Sequence, residues 1–202
     1  MMTSRPALTT TALVVLTLAL AGCQKQSEPA PGPTANTPPA AAASGGGTAQ
    51  AYELAARGHG FSVGPMMAAQ VVYVFFDPAC PRCAQLWAAA QPLTKKVRFV
   101  WLPVGFLKPQ STPQGATILA AADPVRAMNE HEASVLAGGP GLAAASNLPA
   151  ERLDHVKANT ALWQQAGGDS VPLLVYRQPG SGQSAVRAGA LGTEELAALL
   201  GV

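Results

Sequence analysis

Residues 75–83 read Phe-Phe-Asp-Pro-Ala-Cys-Pro-Arg-Cys, and they continue an apolar run that begins at Val71. A continuous run of β-branched and aromatic residues is typical of a strand that is covered on both faces. The segment that follows the first cysteine has the residue pattern of a helix as far as Ala90. The stretch therefore predicts a buried strand, a turn and a helix that opens with a Cys-x-x-Cys pair.

The position of each cysteine predicts a different chemical role. Cys80 falls at the predicted helix N-terminus, where free backbone N–H groups and the helix dipole favour a thiolate. We expect Cys80 to attack a substrate disulfide and Cys83 to resolve the resulting mixed disulfide. Pro81 suits a first helical turn, because its missing N–H would be unpaired there in any case. Arg82 either adds a cation near the thiolate or is an ordinary solvated side chain.

The N-terminal residues have the pattern of an export signal. Arg5 precedes an apolar stretch over residues 12–21, which is too short to span a bilayer. The stretch ends in Leu-Ala-Gly before Cys23, which resembles the lipobox of bacterial lipoproteins. We expect residues 1–22 to be the signal peptide and Cys23 to carry the lipid; the alternative is an ordinary signal peptide with a chance cysteine. Gln24 follows where an inner-membrane retention signal usually has Asp, which favours the outer membrane.

Composition divides the remainder into a tether and one domain. Residues 23–49 begin with the lipidated cysteine and are rich in Pro, Ala, Gly and Ser, so we expect a disordered tether. Residues 50–202 are enough for a single domain with a core of its own. After removal of residues 1–22, 12 basic and 11 acidic residues remain, a net charge near +1 that predicts no nucleic-acid partner. Export places the cysteine pair in the oxidising periplasm, where a disulfide persists.

The pattern of the remaining residues predicts an α/β domain. A short helix over residues 49–57 and an edge strand at residues 61–63 precede the buried strand, and a second core strand follows at residues 97–103. A largely helical stretch runs from about residue 112 to residue 166. A hairpin and a final helix, which we expect Thr193 to cap, complete the chain.

The stretch around the cysteine pair resembles the catalytic domain of the periplasmic thiol:disulfide interchange proteins DsbC and DsbG, and DsbG more closely. The likeness extends from the active-site motif through Trp87, Lys108-Pro109 and Asp123-Pro124 to Val171-Pro172. It covers about residues 50–202. The resemblance implies a thioredoxin-like fold with a helical insertion between the second core strand and a strand that opens with a cis-proline.

The same resemblance assigns a supporting role to Val171 and Pro172. In the thioredoxin fold the proline at this position is cis and lies against the active-site disulfide, so the backbone of Val171 would be presented to an extended substrate. Val171 stands where DsbC and DsbG usually have Thr, and Arg82 where they usually have Tyr. The oxidase DsbA has Val at the position before the proline, so the direction of electron flow stays open. The dimerisation domain of the family has no counterpart in this sequence, from which we expect a monomer.

These features predict a lipid-anchored periplasmic thiol-disulfide oxidoreductase without a cofactor. Its partners would be periplasmic protein thiols or disulfides and a membrane redox partner, and it would act as an oxidase, reductase, isomerase or sulfenic acid reductase. The alternative is a non-catalytic thioredoxin-fold lipoprotein that serves binding or copper delivery. We expect no metal site, since the three histidines show no ligand spacing. Met66 and Met67 fill a gap in the core more readily than they bind a soft metal.

Overall fold

The computed structural model describes residues 45–202. The predicted signal peptide, the lipidation site Cys23 and nearly all of the predicted tether lie outside the described residues. Six α-helices, five strands and one 3-10 helix follow one another in residues 45–202: α1 (Gly45–Ala56), β1 (Phe61–Val63), β2 (Gln70–Phe76), α2 (Pro81–Ala90), the 3-10 helix (Gln91–Lys95), β3 (Val97–Pro103), α3 (Ser111–Ala120), α4 (Pro124–Leu136), α5 (Ala150–Gln165), β4 (Leu173–Arg177), β5 (Ser184–Ala188) and α6 (Thr193–Leu200).

The strands form one mixed sheet in the order β1-β3-β2-β4-β5. Strand β2 is central, because it pairs in parallel with β3 and antiparallel with β4. Val74 lies opposite Trp101 on one side and Leu174 on the other. Three consecutive residues of β2, Val74 to Phe76, are fully buried, so helices cover both faces of the sheet at this end. The start of α2 therefore follows the buried end of the central strand of the sheet.

Helix α2 packs on the sheet through the stripe that its sequence predicts. Cys83, Leu86, Trp87 and Ala90 are all buried and recur at spacings of three and four residues. The ring of Trp87 meets that of Trp101 in an edge-to-face arrangement with centroids 4.9 Å apart. The core therefore holds the cysteine-bearing helix in one fixed position.

The helical insertion lies between β3 and β4, as the sequence predicts, and consists of α3, α4 and α5. Asp123 caps α4, since its carboxylate accepts a hydrogen bond from the Arg126 N–H at 3.0 Å. Helix α4 packs against α2 and α3, and α5 packs against α1 and α3. The insertion thus brings side chains from distant parts of the sequence to the Cys-x-x-Cys turn.

Three details differ from the sequence expectations: the start of α1, the cap of α6, and the position of Met66 and Met67. Helix α1 begins at Gly45, four residues before the predicted start, because burial of Ala51 and Leu54 holds a helix whose first glycines have low intrinsic propensity. Gly192, not Thr193, occupies the cap position of α6, and the Thr193 hydroxyl instead donates to the carbonyl oxygen of Ala89 at 3.0 Å.

The expectation that Met66 and Met67 fill the core is wrong. Both residues lie in the loop between β1 and β2, and their side chains are 70% and 95% exposed. Within residues 45–202 no helix is both long and apolar enough to cross a bilayer.

Candidate active site at the start of helix α2

The turn between β2 and α2 places Cys80 at the N-cap of α2. Cys80 has extended backbone angles (φ −100°, ψ 110°), and its carbonyl oxygen accepts hydrogen bonds from the N–H groups of Cys83 and Ala84. Pro81 begins the helix and is exposed, as is Arg82. Cys80 keeps 5% of its surface exposed whereas Cys83 has none, and both thiols are free. A reagent in solvent can therefore meet the first cysteine before the second.

The two thiols differ in acidity in the direction that the sequence predicts. A hydrogen bond from the Cys83 side chain, together with backbone N–H groups of Cys83 and Arg82, lowers the pKa of Cys80 to about 7 against the opposing effects of burial and the Asp77 charge. Burial first, and then the hydrogen bond and charge of Cys80, raise the pKa of Cys83 well above its ordinary value. Near neutral pH the sulfur of Cys80 therefore loses its proton more readily than that of Cys83, which keeps its proton.

Arg82 contributes to this acidity through its backbone. Its N–H group is one of the donors that lower the pKa of Cys80. Its guanidinium is exposed to solvent, where charge interactions are strongly screened. Of the two readings of Arg82, the structure favours the solvated side chain.

Asp77 ties three segments together beneath the turn. Its carboxylate is fully buried and accepts four hydrogen bonds: Oδ1 from the N–H of Ala79 (2.8 Å) and the hydroxyl of Ser111 (2.6 Å), and Oδ2 from the N–H groups of Phe106 and Leu107 (both 2.8 Å). Four donors satisfy both oxygens of an ionised carboxylate. Asp77 therefore joins the cysteine turn to the loop after β3 and to α3.

A buried histidine from the insertion holds the same turn from the other side. The Nδ1 atom of His131 accepts a hydrogen bond from the Leu142 N–H at 3.0 Å, so Nε2 carries the proton and donates to the carbonyl oxygen of Pro78 at 2.7 Å. Burial lowers the pKa of His131, which keeps the ring neutral near pH 7. The two residues in this contact are 53 positions apart in the sequence, so no local pattern predicts it.

The Val171–Pro172 peptide bond is cis, which confirms the expectation for this proline. Val171 is buried, and its carbonyl oxygen lies 3.7 Å from the Sγ atom of Cys80. The structure thus brings together the two cysteines, Pro81, the backbone of Arg82, and the Val171–Pro172 pair. Of the predicted site residues only Cys23 falls outside the described part of the chain.

Glu132 is a site neighbour that the sequence reasoning missed. It lies on α4 and is 1% exposed, and burial first, followed by the charges of Cys80 and Asp77, raises its pKa to about 9. Glu132 falls in the buried stripe of α4 together with Met128 and Val135. An acidic residue within such a stripe is the sequence signal that could have found it.

The other two histidines lie away from the cysteines. The rings of His59 and His155 stack with centroids 3.8 Å apart, and burial lowers the pKa of His59. In residues 45–202 no group of three or more His, Cys, Asp or Glu side chains is placed to hold a metal ion.

Two known relatives carry the name thiol:disulfide interchange protein DsbG. The chain is 36% identical over 108 residues to DsbG of Escherichia coli strain K12, an alignment that covers 52% of this chain and 43% of the relative. It is 31% identical over 136 residues to DsbG of Pseudomonas aeruginosa, with 66% of this chain and 52% of the relative covered. The chain therefore spans about half the length of each relative. No protein-family model matches it.

A solved structure supports the fold assignment. The catalytic domain of Proteus mirabilis ScsC superposes with a TM-score of 0.64 over 78% of this chain and 96% of that domain, at 18% sequence identity. The fold and the Cys-x-x-Cys turn thus define a thioredoxin-like domain with a helical insertion. Within that class the resemblance to the DsbG and DsbC proteins is confirmed by the two DsbG relatives.

Proposed function

We propose that this protein is a thiol-disulfide oxidoreductase in which Cys80 is the nucleophile and Cys83 the resolving cysteine. The observation that carries the proposal is the difference between the two sulfurs at one helix N-terminus. Cys80 is slightly exposed with a pKa of about 7, whereas Cys83 is fully buried with a raised pKa. A thiolate whose pKa is near the ambient pH combines availability with nucleophilicity. The similarity to DsbG proteins supports the same reaction class.

The reaction proceeds through a mixed disulfide. The Cys80 thiolate attacks one sulfur of a substrate disulfide, a new S–S bond forms on Cys80, and the other substrate sulfur leaves as a thiolate. Cys83 then loses its proton and attacks the Cys80 sulfur, which releases the second substrate thiolate. The substrate gains two electrons and the Cys80–Cys83 pair becomes a disulfide. The reverse sequence oxidises a substrate dithiol, and which direction prevails depends on the redox partner.

Substrates are protein chains that approach Cys80 beside Val171. The Val171 carbonyl oxygen lies 3.7 Å from the Cys80 sulfur. An extended peptide segment bound at Cys80 would therefore lie beside the backbone of Val171. The exposed side chains of Phe106 and Leu107 lie in the loop between β3 and α3, where the Asp77 carboxylate accepts hydrogen bonds from their N–H groups. These two exposed apolar side chains can contact apolar residues of an unfolded substrate segment.

We also propose that the protein is a periplasmic lipoprotein. The Leu-Ala-Gly-Cys sequence ending at Cys23 and the Pro- and Gly-rich residues after it support a lipid anchor with a tether, and Gln24 supports the outer membrane. The wild-type protein should fractionate with outer membranes, and the Cys23→Ala variant should not. Recovery of both in the same fraction would contradict the anchor. We further propose a monomer, which light scattering of the detergent-solubilised chain tests.

Trapping of mixed disulfides tests the enzymatic proposal. The Cys83→Ala variant, expressed in the periplasm, should accumulate covalent adducts on non-reducing gels because its resolving sulfur is absent. The Cys80→Ala variant is the matched control, since it keeps one thiol but lacks the nucleophile, and it should show no adducts. Absence of adducts from both variants, with stoichiometric copper binding by the reduced protein, would favour the binding protein instead.

A further inference from the structure

Glu132 is a buried side chain of α4, the helix of the insertion that packs against the cysteine-bearing helix α2. Its side chain is 1% exposed, and neither carboxyl oxygen has a hydrogen-bond partner among residues 45–202. Asp77, which is equally buried, has four donors around its carboxylate. An ionised carboxylate without partners is strongly disfavoured inside a protein, so Glu132 carries a proton at neutral pH.

The groups that act on Glu132 are all negative or neutral. Cys80 on α2 and Asp77 in the turn before it both raise its pKa, and Glu132 in turn raises the pKa of Cys83. On α4 itself His131 is neutral, while Arg126 pairs with Glu130 on the exposed face. No cation is among the groups that shift the pKa of Glu132. Burial is the largest cause of the raised pKa of Glu132, and the charge on the Cys80 sulfur is the contribution that changes with the redox state of the cysteine pair.

We propose that Glu132 is the proton acceptor for Cys83 when the mixed disulfide is resolved, and that its proton is linked to the redox state of the cysteine pair. This inference rests on the proposed oxidoreductase function. In the reduced protein the Cys80 thiolate holds the proton on Glu132. Once the Cys80 sulfur is bonded to a substrate, that charge is gone and Glu132 releases its proton more readily.

The step balances in protons and electrons. In the mixed disulfide Glu132 releases its proton to solvent, and its carboxylate then takes the proton of the Cys83 thiol, which it releases to solvent in turn once the Cys80–Cys83 disulfide has formed. The Cys83 sulfur then attacks Cys80, the Cys80–Cys83 bond forms, and the substrate sulfur leaves with the bonding electron pair. Cys83 has a raised pKa and is closed to solvent, so a nearby base shortens the lifetime of the mixed disulfide.

Proton counting tests the linkage. The number of protons taken up on reduction follows from the pH dependence of the redox equilibrium with glutathione. At about pH 8.5 the wild-type protein should take up more than one proton per two electrons, since Cys83 and Glu132 both gain one. Glu132→Gln should take up one, and Glu130→Gln, the same exchange two residues away on the exposed face, should match the wild type. Equal proton counts for wild type and Glu132→Gln would overturn the proposal.

The resolution rate tests the catalytic part. Reduced protein is mixed with a nitrothiobenzoate disulfide, which loads Cys80 and then releases a second coloured thiolate as Cys83 closes. Glu132→Gln should slow that second phase by about tenfold or more at pH 7 and leave the first phase nearly unchanged, and Glu132→Asp should restore part of the rate. A second phase within twofold of wild type would contradict the assignment. If the wild type itself shows no second phase, the proposed function fails, whereas the proton count still reports on Glu132.

Infrared spectroscopy tests the wild-type protein directly, which covers the case of a Glu132→Gln variant that does not fold. At pH 8 exposed carboxyl groups are ionised, so a carbonyl band of a protonated carboxyl group reports a buried acid. The reduced protein should show this band more strongly than the oxidised protein. Absence of the band from both states, or equal intensity in both, would overturn the inference.

Discussion

Opposing influences act on the pKa of Cys80. The largest is the hydrogen bond from the Cys83 side chain, which lowers this pKa. Backbone N–H groups at the helix start act in the same direction, and burial and the charge of Asp77 act against them. Cys83, three residues later, has the same side chain but no exposed surface. The two cysteines have the same side chain but different roles because they occupy different positions in the first turn of α2. Cys80 is the nucleophile, and Cys83 keeps its proton.

Removal of the Cys83 thiol should make Cys80 less acidic. In Cys83→Ala the pKa of Cys80 should rise by about one unit, because the strongest stabiliser of the thiolate is lost. Arg82→Gln should leave the pKa of Cys80 within a few tenths of the wild-type value, since the guanidinium is exposed and the backbone N–H remains. Thiolate absorbance against pH measures both. A larger shift in Arg82→Gln than in Cys83→Ala would contradict this account of the site.

Glu132 should make the folded state less stable as the pH rises. Its pKa is about 9 in the fold and near 4.5 when unfolded, so the fold binds the proton more tightly between these values. Stability from Glu132 is complete below about pH 4.5 and falls by up to about 1.4 kcal/mol per pH unit as the pH approaches 9.

Denaturant unfolding of reduced protein at several pH values checks this slope. The free energy of unfolding of Glu132→Gln minus that of wild type should grow from pH 6 to pH 8, because the cysteines contribute equally to both proteins. Glu130→Gln serves as the exposed control and should show no such trend. A constant difference for Glu132→Gln would mean that the carboxyl is solvated.

At the scale of elements, Asp77 is the link between the turn before α2, the loop after β3 and the start of α3. Asp77→Asn keeps the shape but replaces one accepting oxygen by an amide donor that faces other donors. We expect a loss of about 2–4 kcal/mol in the free energy of unfolding, and about 1 kcal/mol for Ser111→Ala, which removes one of the four bonds. The pKa of Cys80 should fall in Asp77→Asn, because the charge of Asp77 raises it. Equal losses in the two variants would show that the other three bonds contribute little.

The elements themselves could be predicted because their signals are local. The apolar run of β2 and the spacing of Cys83, Leu86 and Trp87 on α2 each express a contact with the core in consecutive residues. Loop positions carry no such periodicity, so the sequence gives no signal that Met66 and Met67 are exposed. The start of α1 at Gly45 has no local signal either, since the packing of its later residues outweighs the low helix propensity of its glycines.

The chemistry of the site could be predicted only in part. The helix start and the cysteine spacing identify Cys80 and Cys83, and the family resemblance adds Pro172. His131 and Glu132 come to the turn through the packing of α4 against α2, and that distance in sequence leaves no local trace. The four donors around Asp77 likewise come from segments up to 34 residues away. The sequence therefore identifies the reacting cysteines but not the distant residues that hold their turn and shift their pKa values.

At the scale of the whole molecule, the sheet and insertion serve to place one reactive sulfur at the surface and its partner beneath it. The central claim is that the protein exchanges disulfides through Cys80. The most direct measurement mixes the reduced protein with glutathione disulfide over a range of pH and locates the adducts by mass spectrometry. The account predicts a glutathione adduct on Cys80 alone, with a rate whose midpoint lies near pH 7, followed by loss of glutathione as the Cys80–Cys83 disulfide forms. An adduct on Cys83, a midpoint near the ordinary thiol value of 9.0, or an adduct that is never resolved would contradict it.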